Sequence, residues 1–298
     1  MADEPRTQFA LEEIVFLFEA LERMEHPCVL MGGQSACYWA RRYQTQEPVM
    51  QELAEVSPLL SKDVDFQGSR EDVIAFARLL GQHAEVPDFR RAFGNLMAGK
   101  FSVDTPRGPL SVEVLRKVPG LAPSELERLS GREPFNDRLL RVLNPLGVLK
   151  AKAWNVVNIS KEGRHDAEQL FALVPCLRAY LRGFLQEGQA DQRVLRAGLY
   201  LVEQTLRFTE FPAGRKTAEK CGVDWAQILP HNFIAASSRP ELVRLREKRL
   251  PGWLAHIARY RRAVPASETH RKMLAILARH AEPLCVHSAI RNPSSAIR

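Results

Sequence analysis

The chain has 298 residues, of which 45% are hydrophobic and 26% are charged. This balance is typical of a soluble globular protein and argues against long disordered stretches. No run of residues approaches the roughly 18 apolar residues that a membrane span requires. The acidic start, MADEPRTQFALEE, lacks the basic segment that opens a secretory signal. We therefore expect a cytoplasmic protein with no membrane partner, folded as one large or two ordinary domains.

The number and spacing of the cysteines bear on whether disulfides or zinc stabilise the fold. The five cysteines are scattered and include no CxxC pair, so neither a disulfide framework nor a zinc site is expected. Reduced thiols agree with a cytoplasmic location.

Charge differs between the two halves of the chain. Residues 175–298 hold 21 Lys and Arg against 10 Asp and Glu, a balance of +11, whereas residues 1–174 have a balance of −4. A basic half attracts a polyanion such as RNA, because neutralised phosphates release counterions. Arginine-rich helix faces that only contact solvent explain the same balance equally well.

The first third of the chain alternates helices with short strands. Residues 8–25 place apolar side chains at helical spacing, which predicts an amphipathic helix. Residues 28–31 predict a buried strand that ends in a tight turn at Gly32 and Gly33, and a helix is expected over 35–43.

A second strand and a hairpin follow. Residues 44–61 predict a loop with a short helix, residues 63–66 alternate as a half-buried strand does, and 71–80 predict a helix. Two further alternating runs, 100–104 and 110–115, flank a Pro/Gly turn and predict a β-hairpin.

Beyond Pro145 the pattern is helical throughout. Helices are expected over 146–159, 165–173, 176–186, 192–208, 241–249 and 269–280. The predicted fold class is therefore α+β: a small mixed sheet flanked by helices in residues 1–140, followed by an all-α region in residues 141–298.

Two aspartates on the second strand carry the candidate chemistry. Asp63 and Asp65 are two residues apart, so a strand places both on one face, roughly 7 Å apart. Mg²⁺ prefers carboxylate oxygens together with phosphates and water. Glu113 in the hairpin is the natural third carboxylate, although an exposed position paired with Arg116 or Lys117 explains it equally well.

The glycine pair upstream suits a phosphate group. Gly32 and Gly33 let a phosphate approach without a Cβ clash, and the helix N-terminus that follows offers backbone amides. Ser35 adds a hydroxyl donor close to this turn.

The order of these pieces resembles the nucleotidyltransferase superfamily related to DNA polymerase β. The resemblance rests on LMGGQSACYWARRY at 30–43, SKDVDF at 61–66 and LSVEVL at 110–115. Two later segments, NPLGVLKAKAWNVV at 144–157 and EGRHDAEQL at 162–170, resemble the AbiE-type (type IV toxin–antitoxin) toxins and their bacterial relatives. The similarity covers about residues 10–173, a little over half of the chain.

The resemblance implies a role for each matching residue. Gly32, Gly33 and Ser35 would hold the nucleotide phosphates, and Asp63, Asp65 and Glu113 would be the catalytic metal ligands, for two Mg²⁺ ions or for Mn²⁺.

Lysines and one further aspartate complete the implied set. Lys152, with Lys150 as the alternative, would contact phosphate, and Asp166 stands where the family has the acid of a Lys–Asp pair. The chain departs from the family pattern at Glu113, which is usually Asp, at His165, usually Lys or Arg, and at Gln169, often an acid.

The leading hypothesis is a metal-dependent, ATP- or other NTP-binding nucleotidyltransferase that moves a nucleoside monophosphate to an acceptor hydroxyl. An RNA, such as a tRNA end, is the first candidate acceptor, followed by a protein hydroxyl and a small molecule. The resemblance also implies a toxin or phage-defence setting with an antitoxin-like protein partner. The alternative hypothesis is a non-catalytic protein of the same fold that binds nucleotide, RNA or a protein.

Overall fold

The computed structural model describes residues 7–58, 60–88, 96–159, 165–261 and 267–285. The chain folds as two compact units. The first, called the sheet unit below, consists of residues 1–46 and 57–173, and the second, the helical unit, of residues 47–56 and 174–298. The predicted domains, 1–140 and 141–298, stay a prediction about how the chain divides.

A six-stranded mixed β-sheet forms the centre of the sheet unit. Its strands are β1 (Val29–Met31), β2 (Asp63–Gln67), β3 (Met97–Thr105), β4 (Gly108–Leu115), β5 (Ser130–Phe135) and β6 (Arg138–Leu143). They lie in the order β3-β4-β2-β1-β6-β5. The pairs β1/β6 and β2/β4 are parallel, while β1/β2, β3/β4 and β5/β6 are antiparallel. The predicted α+β class with a small mixed sheet is confirmed.

Helices surround the sheet and make up the helical unit. They are α1 (Val15–Glu22), α2 (Gly32–Tyr43), α3 (Pro48–Val56), α4 (Arg70–Leu79), α5 (Pro123–Leu129), α6 (Pro145–Asn158), α7 (Asp166–Glu187), α8 (Gln192–Glu210), α9 (Pro212–Cys221), α10 (His231–Ala236), α11 (Pro240–Arg244), α12 (Leu250–Ile257) and α13 (Glu268–Arg279). Short 3₁₀ turns precede α1 and α10, and a π-helical turn, Leu245–Arg249, joins α11 to α12.

Alternation along β2 decides which face of the sheet is apolar. Val64 and Phe66 are fully buried, whereas the residues between and beside them are half-buried. Phe66 packs edge-to-face on Phe76 of α4, and Phe76 packs in the same way on Phe101 of β3. The aspartates of β2 therefore lie on the opposite face from α4.

Three sequence-based expectations about the elements were wrong. The glycine pair is the first turn of α2 rather than a separate turn before it. Residues 165–173 and 176–186 are not two helices, because α7 runs through Pro175. The residues on both sides of this proline are buried, and their packing outweighs the ~3 kcal/mol that an internal proline costs. Residues 241–249 are α11 and the π-helical turn instead of one α-helix.

The β5–β6 hairpin had no strand signal in its first half. Ser130–Phe135 reads SGREPF, which contains Gly, Pro and two charges, all weak strand formers. β5 lies at the edge of the sheet. A proline is tolerated there because no further strand needs the hydrogen bond that its missing N–H would have made. Pairing with β6 therefore makes this segment a strand.

Buried polar contacts hold the helical unit together. Glu47 accepts from Arg178 at 3.5 Å and also binds Arg182, which fixes the start of α3 against α7. The indole N–H of Trp253 donates to the Thr209 hydroxyl at 2.8 Å. No helix among the described residues is both long and apolar enough to cross a membrane.

Candidate functional site

Three carboxylates lie side by side on one face of the sheet. Asp63 and Asp65 occupy half-buried positions of β2, and the parallel register pairs Asp65 with Glu113 and Asp63 with Ser111 of β4. Neighbouring strands are about 4.8 Å apart, and paired residues point to the same side of a sheet. The structure therefore brings the two aspartates and Glu113 together, as the sequence analysis expected.

A lysine that the sequence analysis did not select extends this row. The hairpin register pairs Lys100 of β3 with Glu113, so Lys100, Glu113 and Asp65 stand on three adjacent strands. The Lys100 amine lies 3.3 Å from a carboxylate oxygen of Glu85, and 47% of its side chain is exposed. Counting pairs back from the turn between Thr105 and Gly108 would have found this neighbour.

Gly32 is packed against the carboxylate of Asp65. The backbone of Gly32 has a φ of +66°, and a Cβ added there would lie 1.9 Å from Oδ2 of Asp65. The register of β1 and β2 explains this approach, because Met31, which precedes Gly32, pairs with Asp65. A left-handed glycine therefore leaves room for the carboxylate beside the N-terminus of α2.

Gly33 is used for close packing. A Cβ at Gly33 would lie 2.3 Å from the Ser61 hydroxyl oxygen and 3.1 Å from Nε2 of Gln169. Gln169 is the residue that stands where the related family often has an acid. It lies on α7 against the first turn of α2, so this position serves packing in the structure.

Ser35 has an internal hydrogen-bond partner. Its side chain is fully buried and its hydroxyl donates to the carbonyl of Leu143 at 3.2 Å. The indole N–H of Trp39 donates to the same carbonyl at 2.8 Å. The two donors join α2 to the end of β6. In this arrangement the Ser35 proton is not directed at a nucleotide, and its predicted phosphate contact stays a prediction.

Lys152 and Asp166 form a buried ion pair. The Lys152 amine lies 3.0 Å from Oδ1 of Asp166, and only 8% of either side chain is exposed. Asn155 donates to the same carboxylate oxygen at 3.2 Å. Burial raises the pKa of the Cys37 thiol to about 12, and the charge of Lys152 opposes that rise, which places the lysine beside α2. The structure therefore places Lys152 next to the glycine-bearing helix but in an ion pair with Asp166, and its predicted phosphate contact stays a prediction.

Lys150 lies elsewhere. Its amine forms an ion pair with Glu125 of α5, and 10% of its side chain is exposed. Two residues along a helix correspond to a rotation of about 200°, so Lys150 and Lys152 point to different neighbours. The structure does not bring Lys150 to the carboxylate row.

Asp63 and Asp65 offer carboxylate oxygens, the ligand type that a hard cation such as Mg²⁺ prefers, although they are few. Among the described residues, no group of three or more His, Cys, Asp or Glu side chains is arranged to hold a metal ion. Mg²⁺ in nucleotide-dependent enzymes commonly uses one or two carboxylates and takes its other ligands from phosphates and water. Asp63 and Asp65, with Asp65 cradled by Gly32, fit that smaller requirement.

Three basic segments are the sequence candidates for RNA contact: the cluster 244–249, the pair Arg215 and Lys216, and the pair at 261 and 262. Their surroundings differ. Within the cluster 244–249, Arg249 is tied to Glu210 at 2.7 Å and Glu203 at 3.1 Å, and Arg246 donates to the Ala235 carbonyl at 2.8 Å. Arg215 and Lys216 of α9 are exposed. Of the pair at 261 and 262, the second residue lies outside the described residues.

Comparison with known proteins yields one distant likeness. No model of a protein family matches the sequence, and no curated protein sequence is significantly similar to it. The structure is similar to an antigenic nucleotidyltransferase-like protein from Paracoccidioides brasiliensis, at 16% identity and a TM-score of 0.37. The match covers 64% of this chain and 95% of the other. A TM-score this low establishes neither fold nor function, so the functional case rests on the residues described above.

Proposed function

We propose that the protein is a metal-dependent nucleotidyltransferase that moves a nucleoside monophosphate from an NTP to an acceptor hydroxyl. One observation carries the proposal: the β1–β2–β4 register sets Asp65 beside Glu113 and packs its carboxylate on a left-handed glycine at the start of α2. Carboxylates beside a helix N-terminus suit a metal–triphosphate complex, because the cation and the backbone amides bind different parts of it.

The proposed reaction needs a cation, an oriented triphosphate and an acceptor oxygen in line. Asp63 and Asp65 would hold Mg²⁺ or Mn²⁺, and Glu113 would act on the acceptor hydroxyl. When bound, the cation neutralises charge that develops on the phosphates. The acceptor oxygen forms a bond to the α-phosphorus, the bond to the β-phosphate oxygen breaks, and pyrophosphate leaves. The proton of the acceptor hydroxyl passes toward Glu113.

Lys152 and Gly32 have supporting roles in this proposal. Gly32 fixes the position of the Asp65 carboxylate through direct packing. The ion pair with Asp166 neutralises Lys152 but keeps the lysine next to α2, where its amine would reach a phosphate once the pair opens. Both roles depend on the carboxylate row being functional.

RNA, with a tRNA end as the leading example, is the acceptor that we propose. The residues of the helical unit include 21 Lys and Arg against 13 Asp and Glu, which favours a polyanionic acceptor over a neutral one. A toxin or phage-defence role in the cytoplasm, with an antitoxin-like protein partner, is the biological setting that we propose from the sequence resemblance to AbiE-type toxins.

Transfer of labelled nucleotide tests the proposal. The purified protein is incubated with each α-labelled NTP, Mg²⁺ or Mn²⁺, and total RNA, and label is followed into RNA and into the protein itself. We expect incorporation by the wild type and a loss of at least about a hundredfold in Asp65→Asn, since removing a ligand exceeds the effect of an outer-sphere partner. Asp137→Asn, at an aspartate whose side chain is 84% exposed, is the matched control and should retain the activity.

A non-catalytic role is the second candidate. It is favoured by the internal bonds of Ser35 and the occluded Gly33, which leave fewer groups for a triphosphate. In that case the protein binds nucleotide, RNA or a protein partner without turnover. Metal-dependent NTP binding without transfer to any acceptor supports the second candidate and contradicts the first. Absence of both transfer and metal-dependent NTP binding contradicts a nucleotide role altogether.

A further inference from the structure

An exposed phenylalanine lies where two helices of the helical unit meet. Phe211 lies between α8 and α9, and 62% of its surface is exposed. Its backbone N–H donates to the Arg207 carbonyl at 3.0 Å, and its carbonyl accepts from the Arg215 N–H at 3.1 Å. A single exposed apolar residue is ordinary, but the backbone of this residue is fixed by both of its polar groups, and its ring contributes little to a core.

Positive charge surrounds this ring. Arg207 and Arg215 are the residues bonded to its backbone, and their side chains are 58% and 55% exposed. Each is matched by one glutamate on its own helix, and such exposed pairs contribute little and exchange readily. Lys216 and Lys220 are exposed and form no ion pair among the described residues. We call these five residues, Arg207, Phe211, Arg215, Lys216 and Lys220, the Phe211 surface.

The start of α9 adds donors at the same place. Phe211 is the N-cap residue of α9 and, within the described part of the chain, makes no side-chain capping bond. Pro212 at the first position has no N–H, and the Arg215 N–H is bonded to the Phe211 carbonyl. The amides of Ala213 and Gly214 are the first-turn donors that remain for an anion, and the helix dipole favours one there.

Tyr260 lies nearby, since its phenol donates to the Thr209 carbonyl at 2.7 Å. Burial raises the pKa of Tyr260, the charges of Glu210 and Glu219 add to that rise, and the charge of Arg215 opposes it.

We propose that the Phe211 surface binds single-stranded nucleic acid, with one base stacked on the Phe211 ring and the adjoining phosphates on the cations and the α9 amides. Base–aromatic stacking next to a basic track is the common design of such sites. The apolar area is one ring rather than a groove, and the unit is basic, which favours a polyanion with flat faces over an apolar protein helix. Duplexes are excluded because their bases are already stacked.

This inference rests on the proposed function in one respect: it identifies single-stranded nucleic acid as the class of acceptor in the proposed reaction. The binding itself needs neither NTP nor metal. A protein that binds single strands but transfers no nucleotide would contradict the transferase proposal alone. A protein that transfers nucleotide with unchanged efficiency in a Phe211 variant would contradict the acceptor surface alone.

Fluorescence anisotropy with labelled oligo-U and oligo-dT, measured without NTP, tests the inference. We expect Phe211→Ala to weaken binding roughly five- to a hundredfold, as removal of one stacking ring does. Lys216→Glu with Lys220→Glu should also weaken binding, and should reduce the slope of log K against log salt by about 0.7 for each phosphate that the protein no longer neutralises.

Matched variants control for exposure and for charge. Leu139→Ala removes another exposed apolar side chain, 60% exposed in the sheet unit, and should leave binding unchanged. Arg271→Glu with Lys272→Glu reverses two exposed charges on α13, and should weaken binding much less than the Lys216/Lys220 pair. Thermal denaturation of every variant checks that it is folded.

The binding measurements either support the proposed single-strand site or overturn it. Preference for oligo-U assigns RNA as the source of the single strand, and equal binding of oligo-dT supports a surface without sugar selectivity. The inference is overturned if the wild type binds no single strand, if a duplex binds more tightly than a single strand, or if Phe211→Ala binds like the wild type.

Discussion

Two sets of acidic side chains, one in each unit of the molecule, lie in different surroundings. In the sheet unit, Asp63, Asp65 and Glu113 stand in a row at half-buried positions on one face. In the helical unit, Glu47 is withdrawn from solvent, with 7% of its side chain exposed, between Arg178 and Arg182.

The difference separates an acid whose charge is enclosed by arginines from acids at half-buried positions. A buried charge is stable only when a partner and hydrogen bonds replace the lost water, so Glu47 is committed to its arginines. Half-buried carboxylates keep part of their hydration and can exchange water for a cation. Burial, rather than residue type, therefore distinguishes the two sets.

The largest expected effect is the loss of a buried partner in the helical unit. Glu47→Ala leaves Arg178, which is 4% exposed, with the more distant carboxylate of Glu282 at 3.9 Å, and should lower the free energy of unfolding by about 3–5 kcal/mol. Urea denaturation measures the change. The control is Glu52→Ala, which removes a surface carboxylate bound to Arg279 and His280 and should change stability little. Equal effects of the two variants would erase the proposed contrast.

Gly32 tests how tightly the carboxylate row is built. Gly32→Ala places a methyl group 1.9 Å from the Asp65 oxygen and combines left-handed strain with a clash, so we expect a loss of about 2–4 kcal/mol. Gly81→Ala is a matched control, because Gly81 has a φ of +68° with no neighbour within 4 Å. It isolates the backbone strain, about 1–2 kcal/mol. A Gly32 variant as stable as the Gly81 variant would contradict close packing on Asp65.

The helical unit also contains a buried histidine whose titration should make the stability of the protein depend on pH. Burial lowers the pKa of His231 below its ordinary 6.5, while its ring bonds the Ala226 carbonyl at 2.8 Å and the Cys285 sulfur at 3.1 Å. The charged groups that act on it are Glu282, Arg178 and Asp224.

The sign follows from proton uptake. Above pH 6.5 the ring is neutral in both the folded and unfolded states. Below pH 6.5 the unfolded chain binds a proton that the folded one does not, so stability falls as pH falls, by up to ~1.4 kcal/mol per pH unit. Denaturation between pH 7.5 and 5 should show a smaller slope in His231→Gln than in the wild type. His256→Gln, at an exposed position, should keep the wild-type slope, and identical slopes for all three proteins would refute the assignment.

The smallest expected effect on stability sharpens the contrast most. Asp65→Asn preserves the shape of a half-buried side chain and should change the free energy of unfolding by no more than about 0.5 kcal/mol. Titration with Mn²⁺ is nevertheless expected to detect a site in the wild type that Asp65→Asn lacks. A stability loss comparable to that of Glu47→Ala would make Asp65 a structural residue like Glu47.

The sequence by itself determined the strands that carry Asp63, Asp65 and Glu113. Alternation along β2 and β4 follows from backbone geometry, so Val64, Phe66, Val112 and Val114 had to share the apolar face. The hairpin turn fixed the β3–β4 pairing in the same way. The helical character beyond Pro145 was equally readable, because apolar spacing at 3.6 residues is a local property.

Tertiary structure decided everything that depends on which elements become neighbours. β2 and β4 are parallel and about 45 residues apart in the chain, so no local pattern could set Asp65 beside Glu113. Pro175 stays inside α7 because its surroundings are buried. The same is true of the acids: Asp65 and Glu47 are both carboxylates, and only the packing around each leaves one half-buried and encloses the other between arginines. Long-range packing determines desolvation, and desolvation determines what a charge can do.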